Sequence, residues 1–196
     1  MEIAMFSLRR PDDRTIRRFL TDRAADHFSY SEVGDSRTGA PPGFNVDHNR
    51  ILLGHGEETF ERAKAAIGEW RMFDIGWVEL IHPSESIRAG VNVGILAHTL
   101  GLYSLSSCRV VYLLDETAPV RRFGFGYGTL THHIERGEER FSVEWLEDDS
   151  VWYDILAFSQ PRHILARIGY FASRHYQRRF AVDSMAAMKR AVSLRG

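Results

Sequence analysis

Between residues 76 and 158 apolar and polar positions alternate with a period of two, and on either side of that region they recur every three or four. The alternation predicts strands over residues 76–81, 90–98, 108–114, 123–130, 139–146 and 151–158. Val91, Val93, Ile95 and Ala97 share one face of the second. In the third, Val110, Tyr112 and Leu114 alternate against Arg109, Val111 and Leu113. Phe141, Val143 and Trp145 share a face of the fifth, and Asp148-Asp149 marks the turn into the last. Short connections between consecutive strands predict an antiparallel meander.

Helical spacing brackets this region. Phe60, Ala63, Ile67 and Trp70 make an apolar stripe over residues 57–70, with Glu57 and Glu58 in the first turn, where the macrodipole favours negative charge. A strand is expected within 44–53, strongest at 51–53. Residues 11–29 predict a surface helix, with Asp12 or Asp13 as its cap and a thin, arginine-rich apolar face at Ile16, Phe19 and Leu20. At the other end Pro161 suits a first helical turn and Ser159 a cap. The column Ile168, Ala172, Tyr176, Phe180, Ser184, Met188 and Val192 then recurs every four residues. This predicts a C-terminal helix of roughly 45 Å if Gly169 does not interrupt it. The stretch 34–43, rich in glycine and proline, reads as a linker between an N-terminal helical extension (1–43) and a main domain (44–196). The expected fold class is α+β: a curved antiparallel sheet wrapped on a long C-terminal helix, the helix-grip arrangement. Such folds often leave a cavity between sheet and helix.

The stretch 123–130 sharpens that expectation. Phe123, Phe125, Tyr127 and Thr129 fall on one face, and Gly124, Gly126 and Gly128 on the other. Three glycines at period two predict a bend or the close approach of another element. Either face can be the concave one: glycines inward leave space for the helix, and rings inward, the expectation here, line a pocket or core.

Composition narrows the classes. Of 196 residues, 44% are hydrophobic and 26% charged, as in soluble globular proteins, and the formal net charge is −1. There is no global basic field to attract nucleic acid or an anionic membrane. One cysteine, Cys108, excludes an intramolecular disulfide and a cysteine-based metal cluster. No apolar run approaches the roughly 20 residues of a membrane span. The expectation is a cytoplasmic protein with no cofactor and no bound metal.

Several motifs resemble a family of bacterial and plant proteins classed as a domain of unknown function. They are Tyr127-Gly-Thr-Leu130, His133, Gly137-Glu-Glu139 with Phe141, and Ala157-Phe-Ser159 with Pro161. Arg174, Gln177, Arg179-Phe180 and Asp183-Ser184 belong to the same pattern, as do Trp77, Gly90 and Arg109-Val-Val-Tyr112. The resemblance spans roughly residues 49–192. It departs at Thr131-His132, where a proline or glycine is expected. The family is similar to the START-like superfamily, which implies binding of lipids, hormones or polyketides, with a minority of enzymes.

Each candidate constellation has a functional and a structural reading. Phe123, Phe125, Tyr127, Phe141, Trp145 and Tyr153 line a pocket of several hundred Å³ for a small apolar ligand, or fill the core. Glu139 has the strand parity of Phe141, so its carboxyl points inward. With His133 and Tyr127 it would supply acid–base chemistry of a cyclase or hydrolase type, or it pairs with Arg174 or Arg179. The histidines and carboxylates of 132–139 have no metal-ligand spacing. Arg162, Arg167, Arg174, Arg178 and Arg179 form a face for phosphate or nucleic acid, a protein-interaction face, or a solvated one; the balanced charge and the lack of a nucleic-acid motif favour the solvated reading. The glycines of 124–128 do not match the dinucleotide fingerprint, and Cys108 reads as a small buried hydrophobe. The reading favoured is a non-catalytic binding protein whose ligand lies between the sheet and the C-terminal helix, with Arg174 among its ligand-binding residues.

Overall fold

The computed structural model describes residues 5–81, 86–131, 133, 135–161 and 170–193. Among them eight strands form one curved antiparallel sheet: β1 (Met5–Ser7), β2 (Asn45–His55), β3 (Val78–Ile81), β4 (Asn92–Thr99), β5 (Leu102–Glu116), β6 (Arg121–Thr129), β7 (Glu135–Trp145) and β8 (Ser150–Pro161). The order across the sheet is β2-β8-β7-β6-β5-β4-β3, and β1 pairs with the start of β5. Three helices complete the described fold: α1 (Asp13–Asp22), α2 (Gly56–Gly68) and α3 (Tyr170–Ser193). No described helix is long and apolar enough to cross a membrane.

The concave face carries the main core. Phe125, Tyr127, Phe141, Val143, Tyr153 and Ile155 meet Phe60, Ala63 and Ile67 of α2, Trp70 and Phe73 of a following 3-10 turn, and Met188 and Val192 of α3. The four-residue column of α3 therefore faces the sheet from Tyr176 to Val192, with Tyr176 against Trp77 at 5.7 Å. Its Ile168, together with Arg162 and Arg167, lies outside the described residues.

The convex face is covered too. Ile16 and Phe19 of α1 pack on Leu96 and Leu105, each buried side chain contributing on the order of 2 kcal/mol. Asp12 caps α1 by accepting the Thr15 N–H at 2.7 Å. The arginine-rich side of α1 stays exposed, and Gly94 leaves room for Leu20.

Three local expectations change. Ser159 is not a helix cap: β8 runs on to Pro161, with Ser159 paired to Asn45 on one side and Gly137 on the other. Strand ladders on both sides outweigh a local capping preference, and a proline is tolerated where the ladder ends. Val110, Tyr112 and Leu114 do not share a face. A bulge between Val110 and Tyr112 puts Val110 in the concave core and pairs Tyr112 and Leu114 with Gly126 and Gly124. The turn-rich stretch 34–43 holds a 3-10 turn, Asp35–Arg37, in which Ser36 is wholly buried against the sheet.

Candidate functional site

The rings of β6 point inward. Phe125 meets Trp70 edge-on at 4.7 Å and Phe141 at 5.5 Å. Tyr127 stacks on Phe73 at 6.3 Å and lies 5.5 Å from Phe141. Phe73 also touches Phe180 of α3 at 5.5 Å. Tyr153 is fully buried and its hydroxyl lies 2.9 Å from Ser184 Oγ. Phe125, Tyr127, Phe141 and Tyr153 thus form one aromatic floor. Phe123 and Trp145 lie apart, towards α2: Lys64 Nζ is 4.8 Å from the Phe123 ring, and Trp145 sits 6.0 Å from Phe60.

Register builds a polar row beside that floor. Asp47 pairs with Ala157, Ala157 with Glu139, and Glu139 with Tyr127, so all four side chains share the concave face. The Tyr127 hydroxyl donates to Glu139 Oε2 at 2.9 Å. Burial pushes the Glu139 carboxyl up to about 7; the Tyr127 hydrogen bond opposes this, and the charges of Asp47 and Glu135 add to it. Burial, followed by the Glu139 charge, pushes the Tyr127 phenol well above its ordinary value. The pair therefore holds a phenol that keeps its proton beside a carboxyl that exchanges its own near neutrality.

The start of α3 closes this row. Arg174 grips both oxygens of Asp47, one at 2.6 Å, and donates to Gln177 Oε1 at 2.8 Å. Gln177 donates to Glu135 Oε2 at 2.6 Å and to Ser159 Oγ at 3.3 Å. The arginine partner expected for Glu139 is thus taken elsewhere. Asp47 is on β2, which packs beside α3, whereas Glu139 lies two strands further in. Arg179 pairs with Asp183 at 3.4 Å and covers the Trp77 ring at 4.9 Å. His133 Nδ1 accepts the Glu135 N–H at 3.1 Å; His132 lies outside the described residues. Among the described residues no group of three or more His, Cys, Asp or Glu is placed to hold a metal. Cys108 is buried, and burial pushes its thiol up, away from nucleophilic chemistry.

A groove of about 330 Å³ opens behind Phe73, lined by Glu69, Trp70, Phe73, Asp74, Val78 and Glu79, among others. Tyr127, Phe141 and Tyr153 do not line it. Phe73 lines this groove, and the same residue's ring stacks on Tyr127.

Sequence reasoning missed a second polar constellation on the convex face. Glu138, 3% exposed, accepts from the Tyr30 hydroxyl at 2.6 Å, Gly34 N at 2.8 Å, Ser36 N at 3.1 Å, and Ser36 Oγ. Arg140 donates to the Ser36 carbonyl at 3.0 Å and to Asp154 Oδ1 at 2.7 Å, and Asp154 Oδ2 lies 2.6 Å from His48 Nε2. The consecutive Glu138 and Glu139 signal that one acid faces each side of the strand. Nothing local identifies partners about a hundred residues away.

Residues 29–187 match the model of the family described as Domain of unknown function (DUF1990). The chain belongs to the DUF1990 family. A UPF0548 protein of Dictyostelium discoideum is 37% identical over 208 residues, covering 96% of both chains. A UPF0548 protein of Deinococcus radiodurans is 39% identical over 168 residues, covering 80% of this chain and 83% of its own. Solved structures share the DUF1990 chain's fold at low identity. Human STARD10 superposes with a TM-score of 0.51 at 16% identity, covering 94% of this chain and 83% of its own. The hypothetical protein jhp0584 of Helicobacter pylori superposes at 0.55 with 8% identity, covering 83% and 94%. The DUF1990 architecture here is therefore a START-like helix-grip fold.

Proposed function

We propose that this protein binds a small, largely apolar molecule between the sheet and α3, with the ligand's polar group held by Glu139 and Tyr127. The observation that carries this reading is the 2.9 Å Tyr127–Glu139 hydrogen bond at the edge of an aromatic floor. A few convergent polar groups beside apolar walls are the usual make-up of small-molecule sites. The pair offers a hydroxyl or a carbonyl with the phenol donor, and an amine with the ionised carboxyl. Arg174 and Gln177 brace the rim. Phe73 fills the space the ligand's apolar part would take, on a short turn between the outer groove and Tyr127. Phe73 both lines that groove and stacks on Tyr127, so movement of this ring is the route we propose from groove to site. The START-like fold agrees with this class of ligand as an analogy of fold.

Native mass spectrometry of protein purified from its own host tests the proposal. A small molecule retained by the wild type and lost in Glu139→Gln and Tyr127→Phe variants is expected. Wild-type protein that carries nothing, and that fails to take up a fluorescent fatty acid or sterol probe, would remove the reading.

A second reading has one observation in its favour. A carboxyl that titrates near 7 is suited to general acid–base work on the same ligand. Recovery of the captured molecule unchanged after prolonged incubation with the protein would exclude it.

A further inference from the structure

The β4–β5 hairpin and β1 end in side chains that the core does not use. Leu8 and Leu100 are each 80% exposed, Phe6 57% and Leu102 42%. Phe6 pairs with Ser104 and Ser7 with Tyr103, so continuing the register sets Leu8 opposite Leu102. Thr99 pairs with Leu102, which leaves Leu100 and Gly101 as a two-residue turn. Leu100 there has φ 52°, a left-handed conformation that glycine or asparagine adopts more readily. Neither burial nor backbone geometry explains a leucine at this position.

We infer that this tip is a docking surface for an anionic lipid bilayer. Charge points to that occupant. The segments Phe6-Ser-Leu-Arg-Arg10 and Ala97-His-Thr-Leu-Gly-Leu-Tyr-Ser104 contain no carboxylate. Arg10 is held by Glu79 at 2.7 Å and by Asp13 at 3.3 Å, whereas Arg9 is exposed and makes no ion pair with a described residue. Tyr103, stacked on His98 at 4.2 Å, places an aromatic with a polar tip at the next level of the hairpin. Size points the same way. Four side chains on a ribbon end offer on the order of 400 Å², about half of what each partner contributes to a standard protein interface. A small apolar wedge beside a basic side chain suits shallow insertion at the headgroup level. With a formal net charge of −1, the attraction has to be local to the tip.

The start of β5 lies at the same end of the sheet as the end of β6, the start of β7 and the end of β8. A protein docked by this tip turns that end towards the bilayer. The docking surface stands independently of the ligand reading.

Co-sedimentation with vesicles tests it, using phosphatidylcholine alone and phosphatidylcholine mixed with phosphatidylserine. Wild-type protein is expected to pellet with the mixed vesicles and to be released by added salt. A Leu8→Asn/Leu100→Asn variant, in which Asn suits the turn, should lose at least about tenfold in partitioning. Arg9→Gln should weaken binding to mixed vesicles about fivefold and leave neutral vesicles unaffected. Thermal melts of both variants check that they fold. Absence of wild-type binding, or equal partitioning of the double variant, would overturn the inference. So would a concentration-dependent dimer in sedimentation equilibrium that the double variant abolishes, since the tip would then be a self-interface. Ligand retention is read separately by mass spectrometry, so failure of one proposal is distinguishable from failure of the other.

Discussion

Tyr30 lies across Gly128. A Cβ at Gly128 would fall on the Tyr30 hydroxyl, with the ring's Cζ only 2.7 Å away. The ring cannot retreat: its hydroxyl is bonded to Glu138 at 2.6 Å, and it packs edge-on against Phe28 and Phe158 at 5.8 Å each. Gly126 holds the Tyr112 ring in the same way, with Cζ 2.5 Å from a built Cβ. The bare face of β6 is therefore a seat for two phenols. Gly128→Ala should destabilise by about 2–4 kcal/mol, where a glycine-to-alanine change in a strand would ordinarily help. Adding Tyr30→Phe should recover only part of this, because the Cζ contact remains. Urea unfolding of the two variants measures both effects. A neutral Gly128→Ala would show that the Tyr30 segment does not lie there.

Glu138 fastens residues 28–37 to the sheet. As a carboxylate it accepts four hydrogen bonds, and a glutamine would turn an amide donor towards some of those donors. Glu138→Gln is expected to cost about 3 kcal/mol and to open residues 28–44 to limited proteolysis before the rest of the chain. Cleavage elsewhere first would contradict this role.

Glu139 sets a pH dependence of opposite sign to most carboxylates. Its folded value, about 7, lies above the ordinary 4.5, so the native state holds the proton more tightly than the unfolded chain. That contribution is complete below about pH 4.5 and is lost as pH rises through 7. For a half-buried carboxyl the loss is about 1–2 kcal/mol. Glu139→Gln should flatten stability between pH 5 and 8, a window set by these two values. A wild-type curve that rises across that window by the same amount as the variant's would refute the assignment.

Phe73 is the ring whose removal should couple stability to binding. It is 5% exposed and touches Trp70, Tyr127, Phe141 and Phe180. Phe73→Ala should cost about 3–5 kcal/mol. If the ligand occupies this place, a fluorescent apolar probe should bind the variant more tightly than the wild type and restore part of its Tm. Weaker probe binding would argue against Phe73 as the plug.

Arg174 joins α3 to β2 through a two-pronged grip on Asp47. Arg174→Lys keeps the charge and loses the fork, and should cost about 1 kcal/mol. A melt indistinguishable from wild type would show that the geometry of the fork does not matter.

Much of this was legible along the chain, in places where the cause is local. Period-two alternation located the strands from 76 to 158, because each side chain's face follows from its parity. The rings of Phe125 and Tyr127 face inward, as expected. The four-residue column of α3 faces the sheet because residues four apart share one face of a helix. Strand ends were less legible. Ser159 has the chemistry of a helix cap, yet ladder partners at Asn45 and Gly137 hold it in β8. The bulge after Val110 reversed the faces of Tyr112 and Leu114, and its cause lies in the pairing with β6.

The pairing of charges was the least legible. Sequence parity alone sent Glu139 inward and Glu138 outward, since consecutive residues of a strand must part. Which partner each acid found was decided by tertiary structure. Arg174 reached Asp47 because β2 is the strand beside α3, leaving Tyr127 to Glu139. Tyr30 and Ser36 reached Glu138 because the chain before β2 folds back over the glycines of β6. Periodicity encodes the face a side chain takes. It does not encode the neighbour met on that face, which depends on strand order and on segments about a hundred residues distant.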